Sequence, residues 1–102
     1  MNTLGRIQSW YLSQCDGDWE HRFGLTVGTL DNPGWMVDID LHHTNLEEMS
    51  FSPIEYGIVA QSLEDEGNWL SCRVENKVFK GRGGPEKLQE ILDRFLDWTE
   101  DV

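Results

Sequence analysis

The chain has 102 residues, 38% of them hydrophobic and 11% aromatic, with five Trp and only three Pro. This length fits one domain of the common ~100–150-residue size, expected to span residues 1–102, and the composition is too rich in core-forming side chains for a disordered tail. Nineteen Asp and Glu against eight Lys and Arg give a net charge of −11, a field that repels nucleic-acid phosphates and anionic lipid headgroups and so argues against direct DNA, RNA or membrane binding. No stretch reaches the ~18–20 apolar residues of a membrane-spanning helix, and Met1-Asn2-Thr3-Leu4-Gly5-Arg6 has none of the features of a signal peptide. A cytoplasmic location is expected, with Cys15 and Cys72 as reduced thiols rather than a disulfide framework.

At the N-terminus, Leu4, Ile7, Tyr11 and Cys15 recur at spacings of three and four. They predict a helix of about three turns with Thr3 as its N-cap, the apolar stripe facing a core and Trp10 and Leu12 flanking it. Asp16-Gly17-Asp18 reads as the turn after that helix, its carboxylates bonding nearby backbone amides. The period then changes to two. His21, Phe23, Leu25 and Val27 alternate with Arg22, Gly24, Thr26 and Gly28, and Trp35, Val37, Ile39 and Leu41 alternate with Met36, Asp38, Asp40 and His42. Two strands are expected, joined by a type II turn at Asn32-Pro33-Gly34-Trp35, where Pro sets φ and Gly accepts a positive φ.

Ile54 to about Ser62 is a third candidate strand, Glu64-Asp65-Glu66-Gly67-Asn68 a loop, and Trp69–Glu75 with Val78–Arg82 a second hairpin around Asn76-Lys77. Gly83-Gly84-Pro85 then breaks the chain. Pro85 suits the first position of a helix on which Leu88, Ile91, Leu92, Phe95 and Leu96 share one side and Glu86, Glu90, Asp93, Arg94 and Asp97 the other. Helix, strands and helix without βαβ alternation predict an α+β domain: a mainly antiparallel sheet of about four to six strands, with both terminal helices on one face and the other open.

Chemistry is less legible than shape. The cluster Cys15, Asp16, Asp18, Glu20 and His21 lacks the spacing of a calcium loop or zinc site. Asp38, Asp40 and His42 share a strand face about 6.6–7 Å apart in successive pairs, and the wet side of a half-exposed sheet explains them better than a metal does. His42 and His43 point to opposite sides, Lys80-Gly81-Arg82-Gly83-Gly84 lacks P-loop spacing, and no nucleophile elbow is present. No cofactor, metal or catalytic set is therefore expected. One enzymatic alternative is a sulfurtransferase-like use of Cys15. A thiolate nucleophile needs a cationic or helix N-terminal setting, however, whereas Cys15 falls at a predicted helix C-terminus followed by acids.

The charge distribution is more telling. Residues 23–72 hold no Lys or Arg and nine acids: Asp31, Asp38, Asp40, Glu47, Glu48, Glu55, Glu64, Asp65 and Glu66. One reading is a solvated surface that keeps the protein soluble. The sharper one is a surface that attracts a basic partner. Its candidate contacts are Asp38, Asp40 and His42 extended by Glu47 and Glu48, then the turn Asp16 and Asp18 and the loop Glu64, Asp65 and Glu66. Most of the Trp residues are expected to close the core, leaving one or two as interface anchors.

The run Ser9-Trp10-Tyr11-Leu12-Ser13-Gln14-Cys15-Asp16-Gly17-Asp18-Trp19-Glu20-His21, continued by Leu30-Asp31-Asn32-Pro33-Gly34-Trp35, resembles the immunity protein 53 family of bacterial polymorphic toxin systems. So do Cys72-Arg73-Val74-Glu75, Val78-Phe79-Lys80-Gly81 and the closing Gly-Gly-Pro helix. The resemblance implies a small cytosolic protein, encoded beside a toxin, that protects the producing cell by binding that toxin. The negative charge suits inhibition of a basic toxin such as a nuclease, because nuclease substrates are polyanions. An acidic adaptor for some other protein is the remaining alternative, and the adjacent gene distinguishes the two.

Overall fold

The computed structural model describes residues 1–58 and 67–101. Helix α1 (Thr3–Gln14) is followed by a short helix α2 (Trp19–Arg22), strands β1 (Leu25–Leu30), β2 (Gly34–Asp40), β3 (Ile54–Tyr56), β4 (Leu70–Glu75) and β5 (Val78–Gly83), and helix α3 (Leu88–Thr99). The strands form one antiparallel sheet in the order β1-β2-β5-β4-β3. This is the expected α+β architecture, with α1 and α3 on one face and, among the described residues, the other face open.

The register explains which residues are buried. Val37 and Ile39 pair with Gly81 and Phe79 on one side and with Val27 and Leu25 on the other, so alternate positions of every strand turn toward the helices. Val37, Ile39, Leu70, Cys72 and Phe79 meet Ile91, Leu92, Phe95 and Leu96 of α3 in one cluster that Ile7 of α1 joins. Phe95 lies at its centre, with ring centroids 4.9 Å from Trp10 and 5.1 Å from Phe79. α3 lies close against the sheet because Gly81 has no side chain: a Cβ there would collide with Ile91.

Several boundaries differ from the sequence expectation for identifiable reasons. Asn2, not Thr3, caps α1 by accepting the Gly5 N–H at 2.8 Å, while the Thr3 hydroxyl donates to Asp93 of α3 at 2.6 Å. His21 to Phe23 do not begin the first strand. Asp16 turns the chain, and Trp19, 3% exposed, anchors a single helical turn there, its indole N–H donating to the His42 carbonyl at 2.8 Å.

The β1–β2 connection is a three-residue loop, Asp31 to Pro33, with Leu30 facing Gly34. Gly34 has no positive φ, so the type II turn is not formed. The glycine is needed because a Cβ would strike the Gly83 carbonyl oxygen of the neighbouring strand. The second hairpin does turn at Asn76 and Lys77, with φ of 53° and 63°, as a primed two-residue turn requires. Pro85 precedes α3 by three residues rather than starting it, and its carbonyl accepts the Trp35 indole N–H at 2.9 Å. The third strand is only Ile54–Tyr56, and the rest of its expected span, from residue 59 on, lies outside the described residues.

Candidate partner-binding surface

The open face of the sheet carries Asp38 and Asp40, as their alternation with Val37 and Ile39 requires. Their partners on the adjacent strands are not acidic. Asp38 pairs across the ladder with Thr26 and Lys80, and its carboxylate accepts from Arg82 at 2.8 Å. Arg73 and Lys80 reach Glu75 at 3.9 and 3.6 Å. Three cations thus stand among Asp38, Asp40, Glu55 and Glu75, and this face has almost no net charge. Strand pairing decides that arrangement, by bringing residues 78–82 of β5 beside residues 36–40 of β2 and Arg73 of β4 beside Lys80.

Glu47 and Glu48 follow β2 at the end of the sheet, where Lys77 of the second hairpin donates to both, at 3.2 and 3.3 Å. The Lys77 hydrogen bond holds the Glu47 carboxyl below the usual carboxylate range. His42 leaves the strand and stacks on Phe23, with centroids 5.1 Å apart and planes 8° from parallel. Its Nδ1, 3.7 Å from Asp40, is buried without a hydrogen-bond partner. His42 and Asp40 are therefore neighbours, whereas Asp38 is committed to Arg82. Among the described residues no three His, Cys, Asp or Glu side chains gather as a metal site would need.

The turn after α1 uses its acids on the backbone. Asp16 accepts the N–H groups of Asp18 and Trp19, and Glu20 accepts those of Asp16 and Gly17, all four at 2.9 Å. The Trp19 and Asp18 N–H groups hold Asp16 below its ordinary value, and Glu20 is lowered by its own N–H and then those of Asp16 and Gly17. Both stay ionised and outward-facing, while Asp18 pairs with Arg22 at 3.1 Å. Glu64, Asp65 and Glu66 lie outside the described residues.

Neither cysteine has the setting of a nucleophile. The Cys15 thiol donates to the Tyr11 carbonyl at 3.3 Å, closing the last turn of α1. Cys72 is 1% exposed, and burial pushes its thiol up to about 12.

These elements, from α1 through the Asp16 turn to the end of α3, coincide with one sequence family, since the model of immunity protein 53 matches residues 4–100. The chain belongs to the immunity protein 53 family. Neither a curated protein nor a solved structure matches it. The family's matched span takes in every strand among the described residues, helices α2 and α3, the acidic turn, and α1 from Leu4 on. No helix among the described residues of this immunity protein 53 chain is long and apolar enough to cross a membrane.

Sequence reasoning missed one surface feature. The stripe Leu4, Tyr11 and Cys15, expected to face the core together with Ile7, is largely exposed: Leu4 at 64% and Tyr11 at 39%, with only Ile7 buried. Trp10, read as flanking the stripe, is the residue that packs on Phe95. The signal that separates them is the longer-range pairing of Thr3 and Arg6 with α3, which rotates the helix and is invisible in a local pattern.

Proposed function

We propose that the chain neutralises a toxin domain encoded beside it by binding that domain stoichiometrically, without catalysis and without a cofactor. The toxin is a basic protein, and a nuclease is the class the charge fits best. Family membership gives the immunity reading, and the charge carries the rest. All eight Lys and Arg lie within 4 Å of a carboxylate of the chain itself, so the surplus of −11 is left as a field to be answered by a partner. Such a field speeds capture of an oppositely charged protein and weakens as salt rises.

The test is survival of cells expressing the toxin domain with and without this chain. Wild type should protect, and Cys15→Ser should protect equally because no nucleophile is removed. Loss of protection by a normally folded Cys15→Ser would favour the thiol enzyme instead. Failure of wild type to protect would leave the acidic adaptor.

A further inference from the structure

α1 and the start of β1 do not close on one another. Between them lies an open groove of about 400 Å³ lined by Ile7, Gln8, Tyr11, Phe23, Gly24 and Leu25. Leu4 at 64% and Val27 at 42% exposure extend its apolar walls in either direction. Among the described residues β1 is an edge strand, and its six residues, Leu-Thr-Val-Gly-Thr-Leu, contain no charge and no Pro, so it lacks the usual devices that keep an edge from pairing with another chain. A helix stripe and a strand face that the described residues leave uncovered on the same side make one continuous surface, of the kind that marks an interaction site.

The rim decides what covers it. The turn bearing Asp16, Asp18 and Glu20 abuts Tyr11, whose ring meets that of Trp19 at 6.1 Å, and Asp31 follows β1 at its other end. Arg22 is paired with Asp18, and Arg6 is drawn to the opposite side of α1 by Asp93, Asp97 and Glu100. A second copy of this chain would set one net charge of −11 against another. We infer that the α1–β1 groove is where the toxin docks, through a segment that lies along β1, fills the groove with apolar side chains and presents Lys or Arg to Asp16, Glu20 and Asp31. This rests on the immunity reading above and adds to it the surface and the chemistry of the contact.

Adjacent residues of β1 give the test, since Val27 faces the groove side and Thr26 the open face beside Asp38. Val27→Lys and Thr26→Lys change the net charge equally, so any general loss of attraction to a basic toxin is the same in both. With the purified toxin domain encoded beside the gene as probe, Val27→Lys should weaken binding by about tenfold or more, as expected when a charge enters a desolvated contact, and Thr26→Lys by no more than about twofold. Leu4→Lys, on the exposed wall of α1, should behave as Val27→Lys and carries the test if the strand variant melts early. Equal losses in all three, or a larger loss in Thr26→Lys, would overturn the groove while leaving immunity intact. A wild-type chain that does not bind the toxin would overturn both.

Discussion

Tyr56 holds the shortest strand to the C-terminal helix through one hydrogen bond. Its hydroxyl donates to Glu90 at 2.7 Å, and Lys87 lies 5.4 Å from the ring centroid. Burial, then the adjacent Glu90, pushes the phenol above its ordinary value, so it remains a donor, while the Tyr56 hydroxyl and then Arg94 hold Glu90 below the usual carboxylate range. Among the described residues β3 has three residues and one ladder partner, β4, so this side-chain link adds to its ladder and core contacts. Tyr56→Phe should cost about 0.5–1.5 kcal/mol, the net worth of one hydrogen bond. In a chain this size that lowers the melting temperature by several degrees, at ~4–8 °C per kcal/mol. An unchanged melting temperature would mean that β3 is held by its ladder and core contacts alone.

At the scale of elements, the seating of α3 depends on β5 having Gly81 beneath Ile91. Gly81→Ala must push the helix outward or force Ile91 off its rotamer, at a cost of ~1–3 kcal/mol, and thermal unfolding of the variant measures it. Strand propensity alone would predict the opposite sign, because Ala loses less entropy than Gly in a strand. The strands and the terminal helices were legible in the sequence because burial on one face imposes a period of two on strands and 3.6 on helices. Less legible were features set by contacts between distant residues. Gly34 looked like a turn glycine but answers a clash with Gly83. The alternation of Asp38 and Asp40 with Val37 and Ile39 marks a wet strand face, yet no local pattern reveals that β5 brings Lys80 and Arg82 beside them, with Arg73 of β4 next to Lys80. Periodicity shows that the α1 stripe is apolar but not that it faces the core, since a stripe on the surface has the same spacing as one in the core.

For the whole molecule, charge both stabilises and strains the fold. Asp16, Glu20, Glu47 and Glu90 are all lowered by the bonds they accept. Each binds its proton more weakly in the folded chain than in the unfolded one, so its contribution is present above the ordinary values of 3.8 and 4.5 and is lost as pH falls through and below them. These groups are exposed enough that solvent screens them, and each contribution is small. Acid also removes the mutual repulsion of nineteen carboxylates, which acts in the other direction. Salt separates the two, because screening suppresses long-range repulsion more than it suppresses short hydrogen bonds. The melting temperature should therefore hold steady from pH 7 to about 5 and fall below that more steeply at ~1 M salt than at low salt. A rise on acidification at high salt would show that repulsion, not loss of the bonded carboxylates, governs the acid limb.

The same surplus of charge, answered in the folded chain by none of its own cations, underlies the reading of the molecule as a capture protein rather than a catalyst. Titrating the purified toxin domain with this chain tests that reading directly. Toxin activity should fall in proportion to added protein and reach its floor at a fixed stoichiometric ratio, at low salt and without any other reagent. Residual activity that declines with time at substoichiometric protein would mean turnover, and activity unaffected at any ratio would mean that the toxin is not its partner; either result contradicts the account.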